Sequence, residues 1–297
     1  MPRKISRTLL VLLAMAAPVG LSAQAVPNQT VPNQPAPNQT ELAQPSANLD
    51  ALFAALDLEA VMGVMRDEGT AYGVTLEQDL FPGAGGKAWE AQVATIYDPA
   101  RMSAIFLDRL RQELPAQGID IMVDFFGSAR GQRIIKLELS AREALLDDAV
   151  EEVADQNYAA MQAENDPRLA LLKQFAEVND LIESNVSGAM NANYAFYVGL
   201  VDGGAFPYDM PEQQILSDVW GQEADIRGET ESWLYAYLGM AYQPLSDDDL
   251  EAYVAFSRTP EAKALNRALF AAFDAMFTGI SRDLGLAAAK FIGGQDI

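Results

Sequence analysis

The sequence predicts an all-α protein that contains the same helical unit twice. Apolar residues recur at spacings of three and four from Leu49 onward, which places them on one face of a helix. Asp98-Pro99, Asp166-Pro167 and Thr259-Pro260 each put a capping side chain before a proline. Proline at the first helical position loses no needed hydrogen bond, so these pairs are typical of helix starts. No alternating run of apolar and polar residues is long enough to indicate a sheet.

A repeated motif indicates the duplication. The stretches FFGSARGQRI at 125–134 and FSRTPEAKAL at 256–265 lie 131 residues apart. They match at an aromatic, a capping and a small residue: Phe125 with Phe256, Ser128 with Thr259, and Gly131 with Ala262. The same shift aligns Trp89 with Trp220, and a shift of 125 upstream aligns Tyr72 with Tyr197 and Phe81 with Phe206. One insertion before the tryptophan reconciles the two shifts. The sequence therefore predicts a tandem duplication of a unit of about 100 residues, packed as a pseudo-symmetric helical bundle.

The repeated motif predicts a packed corner between two helices. Its serine or threonine is suited to cap the second helix, and losing such a cap costs about 1 kcal/mol. The aromatic residue before the cap would anchor the first helix to the core. The small residue three positions after the cap would let a neighbouring helix approach closely. We therefore interpret the motif as a packing device and not as a binding site.

The segments before the first unit predict export. Residues 1–25 have a basic start, a short apolar run from Leu9 and small residues at 23 and 25, which are the features of a secretory signal peptide. No other segment is apolar for long enough to cross a bilayer. A mature chain in the periplasm, or outside the cell, is expected. Residues 26–45 repeat VPNQT VPNQP APNQT and predict a disordered linker, because they have little apolar surface to bury.

The two predicted units divide the remainder of the chain. The first unit is expected over 46–165 and the second over 166–297. The first unit includes a predicted connecting helix that runs unbroken from Ala129 to about Ala163. The charges of this helix oppose its dipole, since its basic residues come early and its acidic residues come late.

The composition excludes several kinds of chemistry. The chain has no cysteine and no histidine, so it can form no disulfide, no Ser-His-Asp triad, no cysteine nucleophile and no Cys/His zinc site. Removing the leader, which holds three basic residues, would lower the formal net charge from −22 to −25. Such a chain repels phosphate backbones, so nucleic acid is a poor partner. No calcium-loop pattern or phosphate-binding glycine loop is present, so we predict no metal and no cofactor.

The motif also carries a family resemblance. FFGSARGQRI resembles the signature region of domain-of-unknown-function family 2059, a group of exported bacterial helical proteins. The family pattern of an aromatic pair, a cap, a glycine and a basic residue matches Phe125, Phe126, Ser128, Gly131 and Arg133. The second copy departs from it, with Ser257 at an aromatic position and Ala262 at the glycine position. The resemblance covers roughly 35 residues in each copy. It implies a helical fold and export, and it brings no catalytic residue.

A region of the second unit suggests a ligand site. The stretch 174–226 has no basic residue and gathers amide and aromatic side chains. Such groups side by side could hold a sugar or a peptide. The candidate ligand-binding residues are Asn191, Asn193, Tyr194, Tyr197, Tyr208 and Trp220. The alternative is a buried central helix, which predicts that 180–201 is more buried than 56–77 and that the two copies pack together there.

Two functions remain open on the sequence alone, and a structural spacer that binds no small ligand is a third reading. The first is a non-enzymatic binding module of the cell envelope, whose partner is an envelope protein or a glycan. The second is a hydrolase that acts on glycan or cell-wall material through paired carboxylates, the chemistry left to a chain without histidine or cysteine. No particular carboxylate pair stands out among the 42 acidic residues, so no catalytic residue is assigned.

Overall fold

The computed structural model of the protein describes residues 48–206 and 210–293. Across these two ranges the chain is helical and contains no strand. The predicted leader, the predicted linker and Tyr208 lie outside the described residues. The helices are α1 (48–55), α2 (Leu58–Leu80), α3 (Gly86–Ile96), α4 (Pro99–Glu113), α5 (Ile119–Phe126), α6 (Ala129–Ala144), α7 (Asp148–Glu164), α8 (Pro167–Val178), α9 (Leu181–Asp202), α10 (Glu212–Trp220), α11 (Glu223–Tyr242), α12 (Asp247–Ser257) and α13 (Pro260–Ile292).

The predicted helix starts are confirmed. Asp98, Asp166 and Thr259 each accept a hydrogen bond from a backbone amide in the first turn of the helix that follows. A proline occupies the first helical position in all three cases. Ser246 caps α12 in the same way, ahead of three aspartates that favour the positive end of the helix dipole.

The predicted connecting helix is wrong, because the chain breaks between Ala144 and Asp148. Asp147 caps a new helix, α7, by accepting a hydrogen bond of 2.9 Å from the backbone amide of Ala149. Asp148 and Glu151 then lie in the first turn of α7. The acidic residues that would oppose the dipole of one long helix instead stabilise the positive end of a second one.

The longest helix, α13, organises the interior. It packs along α9 and also against α4 and α3. Where α9 and α13 cross, Gly199 and Gly285 face the opposite backbone. A Cβ added at Gly199 would lie 2.2 Å from the carbonyl oxygen of Arg282, and one added at Gly285 would lie 2.2 Å from that of Phe196. Only glycine allows two helices to approach so closely.

The two halves of the chain share one core. A single cluster of buried apolar side chains extends from Leu52 to Phe291. Its contacts are reciprocal, since α13 of the second half packs on α4 of the first, and α6 of the first half packs on α11 of the second. The prediction about burial is wrong, because eleven residues of 56–77 are buried against eight of 180–201. The partner of α9 is α13 of its own half, so the principal contact of α9 is not between the halves.

The two predicted corners have the same hydrogen bonds. The Ser128 hydroxyl accepts from the amide of Gly131 (3.1 Å) and donates to the carbonyl of Phe125 (2.6 Å). The Thr259 hydroxyl repeats both bonds, with distances of 3.2 and 2.8 Å to the equivalent residues Ala262 and Phe256. The side-chain cap and the role of the motif as a corner are confirmed.

The two corners also meet each other. The rings of Phe125 and Phe256 stack with centroids 3.8 Å apart and planes inclined by 2°. Arg130 binds Asp249 near the start of α12, and Arg133 donates to the carbonyl of Pro244. The first corner therefore holds the loop between α11 and α12 in place.

No helix in the described part of the chain is both long enough and apolar enough to cross a lipid bilayer.

The close packing at the first corner predicts that position 131 tolerates only glycine. A Cβ at Gly131 would lie 2.2 Å from the carbonyl oxygen of Phe125, so Gly131→Ala should destabilise the fold by about 1–3 kcal/mol. Gly63 in α2 is the matched control, because nothing lies within 4 Å of a Cβ added there. Gly63→Ala should stabilise the helix by about 0.5–1 kcal/mol. Urea denaturation measures both effects, and equal midpoints for the two variants would contradict the close contact.

Candidate functional site

Five of the predicted ligand-binding residues lie in the described part of the chain. Asn191, Asn193, Tyr194 and Tyr197 are on α9, and Trp220 ends α10. Asn191 and Trp220 are exposed, and the other three are half-buried. Binding by these residues and by Tyr208 stays a prediction.

Two of these residues connect neighbouring helices. The side-chain amide of Asn191 donates to Asp274 of α13 (2.9 Å), and the Tyr194 hydroxyl donates to Glu212 of α10 (2.9 Å). Asn191 also lines an open groove of about 390 Å³ together with Ser184, Phe270 and Asp274. The other described members of the predicted set do not line this groove. The predicted ligand-binding residues that the structure describes therefore do not line one common pocket.

Trp89 and Trp220, which the shift of 131 pairs, lie at different positions in their helices. Trp89 is the fourth residue of α3 and is 1% exposed, and its indole nitrogen donates to the carbonyl of Gly73 (2.7 Å). The fourth residue of α10 is Ile215, which is also buried. Trp220 ends α10 and is 67% exposed. The shift of 131 therefore does not align α3 with α10, and the tandem duplication stays a prediction.

The exposed side of α10 carries two large apolar residues. Leu216 and Trp220 are four residues apart, so they lie next to each other on one side of the helix. Leu216 is 42% exposed, and Trp220 has the highest exposed fraction among the large apolar side chains that the structure describes. The adjacent side of the helix carries Ile215 and Val219, which are buried. We call Leu216 and Trp220 the α10 face.

The interior contains a carboxylate that sequence reasoning missed. Glu138 of α6 is 4% exposed, and its side chain contacts residues of α11 and α12. Its Oε1 accepts hydrogen bonds from the hydroxyls of Tyr242 (2.6 Å) and Tyr253 (3.3 Å). The Tyr237 hydroxyl donates to the backbone carbonyl of Glu138 (3.2 Å). The only signal in the sequence is the position of Glu138 one turn after Ile134, on the apolar side of α6.

Burial controls the charge of Glu138. Loss of hydration raises the pKa of its carboxyl group from 4.5 to about 7, against the smaller opposing effect of the hydrogen bonds from Tyr242 and Tyr253. Burial likewise raises the pKa of each of these tyrosines well above its usual value. The tyrosines therefore stay protonated and remain donors.

A buried ion pair lies one turn further along α6. Arg142 donates to both carboxylate oxygens of Glu68 on α2, at 2.7 Å each. This bidentate pair forms part of the wall of a cleft of about 200 Å³ that Tyr72 and Trp233 also line. Typical ligand pockets measure about 300–1,000 Å³, so the cleft is small for an organic substrate. Removing one partner of such a pair commonly costs about 3–5 kcal/mol, because the other charge would be left buried without a partner.

Metal ligands do not cluster in the described residues. No group of three or more aspartate or glutamate side chains there is arranged to hold a metal ion.

Comparisons with protein-family models, with curated proteins and with solved structures find no match for this chain.

The protonation of Glu138 predicts a pH dependence of stability. Folding takes up a proton at this group between pH 4.5 and about 7, so its contribution to the free energy of unfolding is largest at low pH and falls as the pH rises. The pKa difference corresponds to about 3 kcal/mol. In Glu138→Gln this part of the pH dependence should be absent. Urea denaturation across this pH range measures the difference between wild type and variant.

Glu143→Gln is the matched control, because Glu143 is an exposed residue of the same helix. It should keep the wild-type pH dependence. Parallel stability curves for wild type and Glu138→Gln would show that the buried carboxyl does not titrate in this range.

Proposed function

We propose that the protein is an exported, non-enzymatic binding module of the cell envelope. The observation that carries the proposal is the exposed Trp220 beside Leu216 on a helix whose adjacent side is buried. Tryptophan is enriched among the residues that dominate binding energy at protein interfaces. A firmly held helix that presents a tryptophan to solvent is therefore suited to recognition.

The interior carboxylates favour binding over hydrolysis. A glycosidase needs two carboxyl groups that reach the scissile bond from either side. Glu138 is enclosed by tyrosines, and both oxygens of Glu68 are engaged by Arg142. These two carboxylates are used by the fold itself.

A carboxylate-dependent hydrolase of glycan or cell-wall material is the second candidate. One observation favours it, because a pKa of about 7 at Glu138 suits a general acid at neutral pH. That reading requires Glu138 to reach substrate, which in turn requires α6 to separate from α11 and α12. The binding module needs no such opening.

The proposal includes the tandem duplication and the relationship to domain-of-unknown-function family 2059. The helices from α1 to α6 and from α8 to α13 follow the same order, with α7 between them. The residue before α2 and the residue before α9 are both aspartates in the left-handed region, Asp57 and Asp180, each with a φ of 49°. The capped corners and the reciprocal contacts of α6 and α13 support the same origin.

Export belongs to the proposal as well. The leader-like residues 1–25 and the strongly negative charge agree with a periplasmic or extracellular protein. A chain of this kind must hold its fold without disulfides, and the large core cluster from Leu52 to Phe291 supplies the required burial. The partner is an envelope protein or a glycan.

Affinity capture tests the proposed function. Immobilised chain lacking residues 1–25 should retain a component of an envelope extract, and excess soluble chain should compete with it. The same chain should release no dye from labelled cell-wall material. Dye release that Glu138→Gln abolishes would favour the hydrolase, and an extract from which nothing is specifically retained would count against the binding module.

A further inference from the structure

The charge around the α10 face is of one sign. The stretch 174–226, which includes all of α10, has no lysine or arginine. Glu212 and Asp218 are exposed residues of α10 itself, and Asp225 is an exposed residue in the first turn of α11. Exposed carboxylates near an apolar patch attract cations and repel other acidic surfaces.

The nearest basic residue along the chain is already paired with other carboxylates. Arg227 binds both carboxylate oxygens of Glu183 on α9 and also Oε1 of Glu223 on its own helix. Its guanidinium therefore offsets Glu183 and Glu223 and leaves Glu212, Asp218 and Asp225 without a basic partner among these contacts. The α10 face keeps an acidic surrounding.

The α10 face is also held firmly. Ile215 and Val219 are buried on the inner side of α10, and the hydrogen bond from Tyr194 to Glu212 fixes its first turn to α9. A partner that docks on Trp220 and Leu216 therefore meets a pre-ordered surface, and little ordering free energy is lost on that side.

We infer that the α10 face binds an amphipathic helix of a partner protein, with aliphatic residues against Trp220 and Leu216 and with lysine or arginine residues toward the acidic rim. This inference rests on the proposed binding function and names the class of partner. The spacing of the two residues, one helical turn, suits side chains that are also one turn apart on a facing helix. The indole of Trp220 can in addition accept a cation over its ring.

The acidic surrounding disfavours two other occupants. A second copy of the chain has the same formal net charge of −22. The carboxylates around the α10 face would therefore repel it. An anionic lipid surface would be repelled for the same reason. A cationic helix is instead attracted to these carboxylates.

Peptide binding to the full chain tests the inference. The probe is a helical peptide with leucine on one face and lysine on the other, and its partner probe carries glutamate in place of lysine. Isothermal titration calorimetry should detect the lysine peptide and should show weaker binding at high salt. Trp220→Ala should weaken binding by about tenfold or more, and Leu216→Ala by less.

Val74→Ala is the control variant, because Val74 is an exposed apolar residue on α2 in the other half of the chain. It should bind the lysine peptide as the wild type does, and circular dichroism should show equal helix content in all three variants. Equal affinity of wild type and Trp220→Ala would overturn the inference, as would equal affinity for the glutamate peptide. Binding to phosphatidylcholine vesicles but not to the lysine peptide would overturn it too, in favour of a lipid surface.

Capture from an envelope extract separates this inference from the proposed function. If wild type and Trp220→Ala retain the same component equally, the α10 face is not the binding surface although the protein is a binding module. If wild type retains nothing, the binding function itself fails, whatever the peptide result. Loss of the retained component in Trp220→Ala alone supports both.

Discussion

The fold depends on the contact between α9 and α13, where the backbones meet at Gly199 and Gly285. Because neither glycine has room for a methyl group, the backbones of the two helices approach each other more closely than any other residue would allow there. This contact fixes the direction of α13, which then continues across α4 and α3 of the other half. Phe291, near the end of α13, packs against Phe81 and Trp89 of the first half. One crossing thus sets how the halves combine.

The polar interior follows from the same arrangement. The contact of α6 with α11 brings Glu138 from one half against the tyrosines of the other, and it leaves the carboxylate enclosed. The hydroxyl groups satisfy the buried oxygen, which would otherwise lower stability by about 1–3 kcal/mol. For Glu138 to act as an acid on a substrate, α6 would have to separate from α11 and α12. The outer side of α10 lies away from this constraint and is open to a partner.

Local features of the fold could be predicted from the sequence, and features set by tertiary contact could not. The caps at Asp98, Asp166 and Thr259 depend on neighbouring residues alone, so their positions could be predicted from the sequence. The break at Asp147 was missed because an aspartate within an acidic run has no proline to mark it as a cap. Burial of Glu138 is decided by tyrosines about a hundred residues away. The exposure of Trp220 depends on where α10 ends, and pairing it with Trp89 on residue type alone did not reveal that the two tryptophans lie at different positions in their helices.

Calorimetric unfolding of the chain lacking residues 1–25 tests most directly whether the halves form one interdependent structure. The shared core and the reciprocal contacts of α6 and α13 predict a single transition, with equal van't Hoff and calorimetric enthalpies. Two separate transitions, each with the enthalpy expected for one half, would contradict the account, because they would mean that each half is stable without the helix supplied by the other.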